Sequence, residues 1–361
     1  MTTISLDSLI AHDSADMLGA IASLPTQLPD GFARAEAAAD AVRATWAGDM
    51  GAVPRSLVVC GMGGSGVGGD LLGAAAEVRT PVVAVKGYEL PGWVSDEDRV
   101  VCVSYSGATS ETLACFDQAV ERSVVAAVIT TGGELAERAR AADVPVVELP
   151  AGMQPRAAVG VIFGALVGVA GSLGVVADAA DIADEAVAGV RLVVDEHVGT
   201  GPEHAGEDIP PALELARQLH DHVIVVSGAG HTEAVAHRWK AQINENGKVP
   251  CFANAYPELC HNELVGWEFA KSTGAKWALV ELLPFDASEA IGARFDITRD
   301  LITDSLDAVL RFEPRATTRA AATFELLAWG DYVSVYLALI RGIDPTPVER
   351  IHALKGALAG R

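Results

Sequence analysis

Val100-Val101-Cys102-Val103-Ser104-Tyr105-Ser106-Gly107-Ala108-Thr109-Ser110-Glu111-Thr112 is the stretch on which the fold turns. An apolar run of strand type leads into a hydroxyl-rich turn, and Leu113-Ala114-Cys115-Phe116 carries on from it. The order predicts a strand, a loop and a helix N-terminus in succession. Gly107 lets the backbone turn tightly. Five of the nine residues from Ser104 to Thr112 are Ser or Thr, and none is Lys or Arg. One such hydroxyl would read as an ordinary helix N-cap. Five, together with the free N–H groups of a helix start, suit a bound anion, most often a phosphate. Glu111 supports a helix start here, with its carboxylate turned away from such an anion.

Upstream, Ser56-Leu57-Val58-Val59-Cys60 is a short apolar strand entering Gly61-Met62-Gly63-Gly64-Ser65-Gly66. The glycines match a dinucleotide fingerprint in outline, but no acidic residue follows where a ribose needs one, since Pro81 to Val85 ends in Lys86-Gly87. The absence of Gly-Lys-Ser/Thr excludes a P-loop. Two readings stay open: close strand–helix packing, or close backbone approach of a ligand with Ser65 as a donor. Strand-like runs recur at Pro81 to Val85, Arg99 to Val103, Val124 to Thr130 and Val144 to Leu149, with helices between them. This alternation predicts an α/β fold with a doubly wound parallel sheet. Ligands of such sheets sit beyond the strand C-terminal ends, where both loops would lie.

The totals narrow the partners. The chain has 361 residues, half of them hydrophobic, and a formal net charge of −22. Such a balance argues against nucleic acid and acidic membrane surfaces, while leaving room for a local anion site built from backbone dipoles. Five cysteines without a CxxC pattern do not form a disulfide framework and point to a reducing cytoplasm. The N-terminus has no basic region before an apolar block, so no signal peptide is read there. Residues 157–177 carry no charge and could span a bilayer, but they hold five glycines and lack positive flanks. A buried helix is the expectation. Residues 1 to about 50 read as helical, broken near Pro25 and Pro29.

A boundary is expected near Gly199 to Asp208, dividing the chain into domains at 1–200 and 201–361. After it the pattern restarts. His222-Val223-Ile224-Val225-Val226-Ser227-Gly228-Ala229-Gly230 copies the outline of Leu57 to Gly63, and strands Lys276 to Leu283 and Ala308 to Phe312 follow. The second half lacks the hydroxyl cluster but carries three candidate groups, Glu245, His261 and Lys355. Glu245 lies near the end of a helix read from His231 through Asn246. A carboxylate there is unfavourable, which lifts its pKa if it is also buried and suits a proton-abstracting base. The plainer reading pairs it with Lys248 or Lys240. His261 lies in a polar, aromatic loop from Phe252 to Leu264 and is either an acid/base group or an ordinary loop histidine. Cys260 and His261 are adjacent and no HExxH is present, so a metal is not expected. Lys355 is a helix C-terminal cation on its own evidence. Arg156, at the start of the apolar stretch, opposes a helix dipole and therefore needs an anionic partner from protein or ligand.

Together these motifs resemble the bifunctional phosphoglucose/phosphomannose isomerase family, which is built from two sugar-isomerase (SIS) domains. Gly61-Met62-Gly63-Gly64-Ser65 and Ser104 to Thr112 match its phosphate loops and by themselves indicate only an SIS domain. Asn244-Glu245-Asn246-Gly247-Lys248, Pro257-Glu258-Leu259-Cys260-His261-Asn262-Glu263 and Val348 to Lys355 match its catalytic motifs. Gly247 and Cys260 occupy variable positions there. The resemblance implies two SIS-type doubly wound parallel-sheet domains (α-β-α sandwiches). It implies a phosphate site of Gly63, Gly64, Ser65, Ser104, Ser106 and Thr109, with Thr112 as a helper. Glu245 would move a proton between C1 and C2, and Arg156 would stabilise the anionic intermediate. Lys355 would lie near the ring oxygen. His261 would open the sugar ring, reaching in from the partner of a homodimer. A phosphorylated hexose substrate, no metal or organic cofactor and a cytoplasmic location complete the expectation. The alternatives are a non-catalytic phosphosugar sensor and an amidotransferase-type SIS enzyme. The latter would need a glutaminase domain, and no N-terminal Cys nucleophile is present.

Overall fold

Runs of Val, Ile and Cys without polar alternation suit strands covered on both faces, which is the environment of a parallel sheet. The computed structural model describes residues 6–46, 52–198 and 209–359. Its first sheet comprises β1 (Leu57–Cys60), β2 (Val82–Val85), β3 (Arg99–Ser104), β4 (Val125–Thr130) and β5 (Val146–Glu148), all parallel in the order β2-β1-β3-β4-β5. Every residue of β1, β3 and β4 is buried. The second sheet comprises β6 (Val223–Ala229), β7 (Cys251–Tyr256), β8 (Trp277–Leu282) and β9 (Ala308–Phe312), parallel in the order β7-β6-β8-β9. Each sheet turns from its first strand outward in both directions. The chain therefore opens one crevice between the C-terminal ends of β1 and β3 and another between those of β6 and β8. The boundary expected at residue 200 lies outside the described residues.

The helices used below are α1 (Leu24–Ala37), α2 (Gly63–Ala75), α3 (Ser110–Glu121), α4 (Val159–Ser172), α5 (Ala179–Val198), α6 (His231–Glu245), α7 (Arg319–Leu339) and α8 (Glu349–Ala359). The apolar stretch at 157–177 is the buried helix α4, and among the described residues no helix is long and apolar enough to cross a membrane. One apolar core runs from α1 and α4 through α2 to α6 and α7 and joins the two halves.

Two local expectations fail. The chain does break before Pro25, which sits in the first turn of α1, but α1 continues through Pro29. The bond lost there is offset by packing: Leu28 and Ala35 of α1 are fully buried beside α4. The segment opening the expected loop at Phe252 is strand β7, at the edge of the second sheet. Asn254 and the exposed Phe252 hide its alternation, because an edge strand needs few apolar neighbours on its outer side.

The contact between α1 and α4 depends on glycine. A Cβ on Gly164 would stand 2.1 Å from the Leu28 carbonyl oxygen, and one on Gly31 would stand 2.0 Å from that of Val161. Gly164→Ala must push the helices apart, at a cost of about 1–3 kcal/mol. Denaturant unfolding should register that loss while kcat of the folded fraction stays unchanged; an unaltered midpoint would contradict the packing.

Candidate active site

The first crevice is built from two strand-to-helix loops. Gly61 and Met62 lead from β1 into α2, whose first turn holds Gly63, Gly64 and Ser65. The hydroxyl loop leads from β3 into α3, with Thr109 at the N-cap position. The loops are joined: the Tyr105 N–H donates to Ser65 Oγ at 3.1 Å. Ser104 Oγ and Thr109 Oγ1 lie 2.9 Å apart, and the exposed Ser106 accepts from the Ala108 N–H at 3.4 Å. Thr112 Oγ1, in the first turn of α3, is buried with no hydrogen-bond partner. Five hydroxyl-bearing positions and two helix N-termini thus converge on one sheet edge, in the arrangement that favours an anion.

A cavity of about 720 Å³ adjoins this edge and runs along α2 and α6. Gly63, Gly64, Arg156 and Glu245 all line it. Glycine at position 64 brings Arg156 close, since a Cβ there would stand 2.7 Å from the Pro155 carbonyl oxygen and 3.0 Å from Arg156 Cα. Arg156 occupies the turn before α4, and its side chain is only 5% exposed. Its guanidinium crosses to the second half of the chain. Nε donates to Asn246 Oδ1 at 2.6 Å, and Nη2 donates to the carbonyls of Pro345 at 3.0 Å and Thr346 at 2.8 Å. Nη1 stands 3.9 Å from Glu245 Oε2. Burial pushes the Arg156 guanidinium down from its ordinary range, and the Glu245 and Asp344 charges pull it back. Within the protein, the Glu245 carboxylate thus stands at ion-pair distance from Arg156.

Glu245 is the last residue of α6, and its carboxylate is 29% exposed. Neither surface pairing considered for it occurs. Lys248 Nζ donates to the Glu245 backbone oxygen, to Pro345 O at 3.0 Å and to Pro347 O at 2.6 Å. Burial and the nearby Arg156 charge push the Lys248 ammonium down. Arg156 and Lys248 together strap residues 345–347 against the end of α6.

Two predicted catalytic residues lie elsewhere, and of the predicted phosphate residues Gly63 and Gly64 line the cavity while Ser65, Ser104, Ser106, Thr109 and Thr112 do not. His261 is exposed on the short helix Glu258–His261 beyond β7 and is not part of the cavity wall. Lys355 lies on α8, which follows the strap and is exposed at every position from 349 to 358. Sequence reasoning missed the buried support behind Arg156. Arg238 and Asp331 form a buried pair at 2.6 Å, and Arg238 Nη2 also donates to the Arg156 backbone oxygen at 3.0 Å. The available signal was Asp331, one of two carboxylates, with Glu325, in the mostly apolar α7.

The second crevice differs. His231 begins α6 there and faces Asp286, from the loop after β8, with Nδ1 and Oδ1 3.4 Å apart. Burial pushes the His231 pKa down, opposed by Asp286. The loop equivalent to the hydroxyl loop thus presents a carboxylate, with Arg319 Nη2 3.8 Å from it.

Residues 209–358 match the family described as "Bacterial phospho-glucose isomerase C-terminal SIS domain". The bifunctional phosphoglucose/phosphomannose isomerase of Caldicellulosiruptor bescii is 37% identical over 84% of this chain and 89% of its own length. The chain belongs to this family. The Aquifex aeolicus member is 33% identical over 84% of this chain and 90% of its own length. Among solved structures, a hypothetical protein from Thermus thermophilus superposes with a TM-score of 0.69 at 17% identity, covering 98% of this chain and 92% of that one. That similarity concerns the fold alone, and the fold it supports is the two-sheet SIS arrangement expected of the family.

Proposed function

We propose that this chain, a sugar-phosphate isomerase by family, interconverts glucose 6-phosphate and/or mannose 6-phosphate with fructose 6-phosphate through a cis-enediolate. Glu245 is the base. Its carboxylate removes the proton from C2 of the aldose, or C1 of the ketose, and returns it to the neighbouring carbon. The observation that carries this reading is the 3.9 Å gap between Glu245 Oε2 and Arg156 Nη1 on the wall of a cavity that reaches Gly63 and Gly64 of the glycine-rich loop. An enediolate needs a base and a fixed cation beside it, within a site sheltered from water. The hydroxyl loop anchors the 6-phosphate through Ser104, Ser106 and Thr109, aided by Ser65, the Gly63 and Gly64 backbone and Thr112.

His261 opens the sugar ring from the partner subunit of a homodimer, and Lys355 lies near the ring oxygen. Exposed apolar side chains support a partner at these elements. Phe269 beyond His261 is 74% exposed, and Ile351, Leu354 and Leu358 form an unpartnered stripe on α8. An isolated helix of 11 residues is marginal in water, so α8 needs a surface to lie on.

Coupled assays on both aldose phosphates, with EDTA present, test the reading. Turnover of either one that disappears in Glu245→Gln is the expected result. Calorimetric binding of both with turnover of neither would replace this reading with the non-catalytic phosphosugar sensor. The division of labour has its own test in Thr109→Val, which removes one hydroxyl from the anchor and nothing from the base. KM should rise about tenfold while kcat stays within about threefold; a loss confined to kcat would contradict it.

A further inference from the structure

Asn246, immediately after Glu245, is fully buried and does not itself line the cavity. We infer that Asn246 is the positioning residue for Arg156, fixing the plane of the guanidinium so that Nη1 alone faces the proton-transfer axis. The inference rests on the reading of Glu245 and Arg156 given above.

A guanidinium has five N–H donors in a rigid plane. In Arg156 the Nε donor goes to Asn246 and Nη2 serves two carbonyls, which leaves the two donors of Nη1. Nη1 is 3.9 Å from Glu245 Oε2, too far for a hydrogen bond and close enough for both to touch one substrate oxygen–carbon unit. With the carbonyl contacts alone, the plane could pivot about Nη2. The contact at Nε, a second donor nitrogen on the same edge, removes that freedom.

Asn246 is itself held. Its Nδ2 donates to Ser334 Oγ at 3.0 Å, and that hydroxyl donates to the Asp331 carbonyl at 2.7 Å. Arginine offers only donors, so the amide oxygen must face Arg156 and the amide nitrogen Ser334. A neutral acceptor also orients the cation without neutralising it. A carboxylate in the same place would cancel the field on which a developing enediolate depends.

Asn246→Ala and Arg156→Ala, singly and combined, form the test, with steady-state kinetics on fructose 6-phosphate. Asn246→Ala should lower kcat about 100-fold with KM changed less than about threefold. In the Arg156→Ala background the same substitution should change kcat less than about twofold, because the group it positions is gone. Multiplicative losses in the double variant, or an unchanged kcat in Asn246→Ala, would overturn the inference while leaving Arg156 in its role. A wild-type kcat in Arg156→Ala would overturn the role of Arg156 itself. Should Asn246→Ala fail to fold, Ser334→Ala replaces it. That change frees the amide to turn, and it should cost about three- to tenfold in kcat at unchanged KM; full activity there would overturn the inference.

Discussion

Glu245→Gln lowers kcat about 1000-fold and leaves KM within about threefold of the wild type. The amide has the shape of the carboxylate but cannot accept the C2 proton, so the loss falls on the chemical step. Three decades correspond to about 4 kcal/mol of barrier. Stability should barely change, because the carboxylate is partly exposed and its one ion-pair contact, with Arg156, is 3.9 Å long. The combination separates this variant from one that fails through misfolding. Steady-state kinetics beside a thermal melt measure both quantities. A Glu245→Gln enzyme with wild-type kcat would remove Glu245 as the base.

Arg156→Ala should damage both activity and stability. The guanidinium is buried, and its loss strands Asn246 Oδ1 and the carbonyls of Pro345 and Thr346. It also loosens the strap that leads to α8, leaving Lys248 as the remaining tie to Pro345. Unfolding should cost about 3 kcal/mol less than in the wild type. The enediolate also loses its fixed cation, so kcat should fall about 1000-fold beyond any loss of folded protein. Arg156→Lys should lie between the two, since it keeps the charge but cannot reach three acceptors in one plane. Chemical denaturation and kinetics on the folded fraction distinguish these effects. An Arg156→Ala variant that loses stability alone would make the residue a strut, without a part in the reaction.

The layout of the first half was legible because parallel strands buried on both faces leave unbroken apolar runs. Leu57 to Cys60 and Val100 to Val103 are such runs, and the loops after them carry composition that strands do not tolerate. The edge strand β7 left a weaker trace, since Asn254 and Phe252 need not be covered. Pro29 misled because propensity speaks for the local helix, whereas the packing of α1 on α4 is decided by glycines 133 residues apart, Gly31 and Gly164. The site divided in the same way. Loop composition marked the two strand-to-helix loops that meet at one sheet edge, and the motif around Glu245 marked a residue that lines the cavity. Nothing local linked Arg156 to Asn246 or to the carbonyls of Pro345 and Thr346, because that alliance exists only once the two halves have docked. His261 and Lys355 matched motifs in the chain but stand outside the cavity of a single copy.

The central claim is that one carboxylate, Glu245, carries a proton between C1 and C2 of a bound hexose phosphate. Nuclear magnetic resonance of fructose 6-phosphate equilibrated with the enzyme in heavy water, through many turnovers, tests it most directly. The account predicts deuterium accumulating at C2 of the aldose phosphate with the wild type and almost none in the same time with Glu245→Gln. An aldose phosphate that forms readily yet keeps its C2 position free of deuterium, or a Glu245→Gln enzyme that exchanges at the wild-type rate, would contradict it.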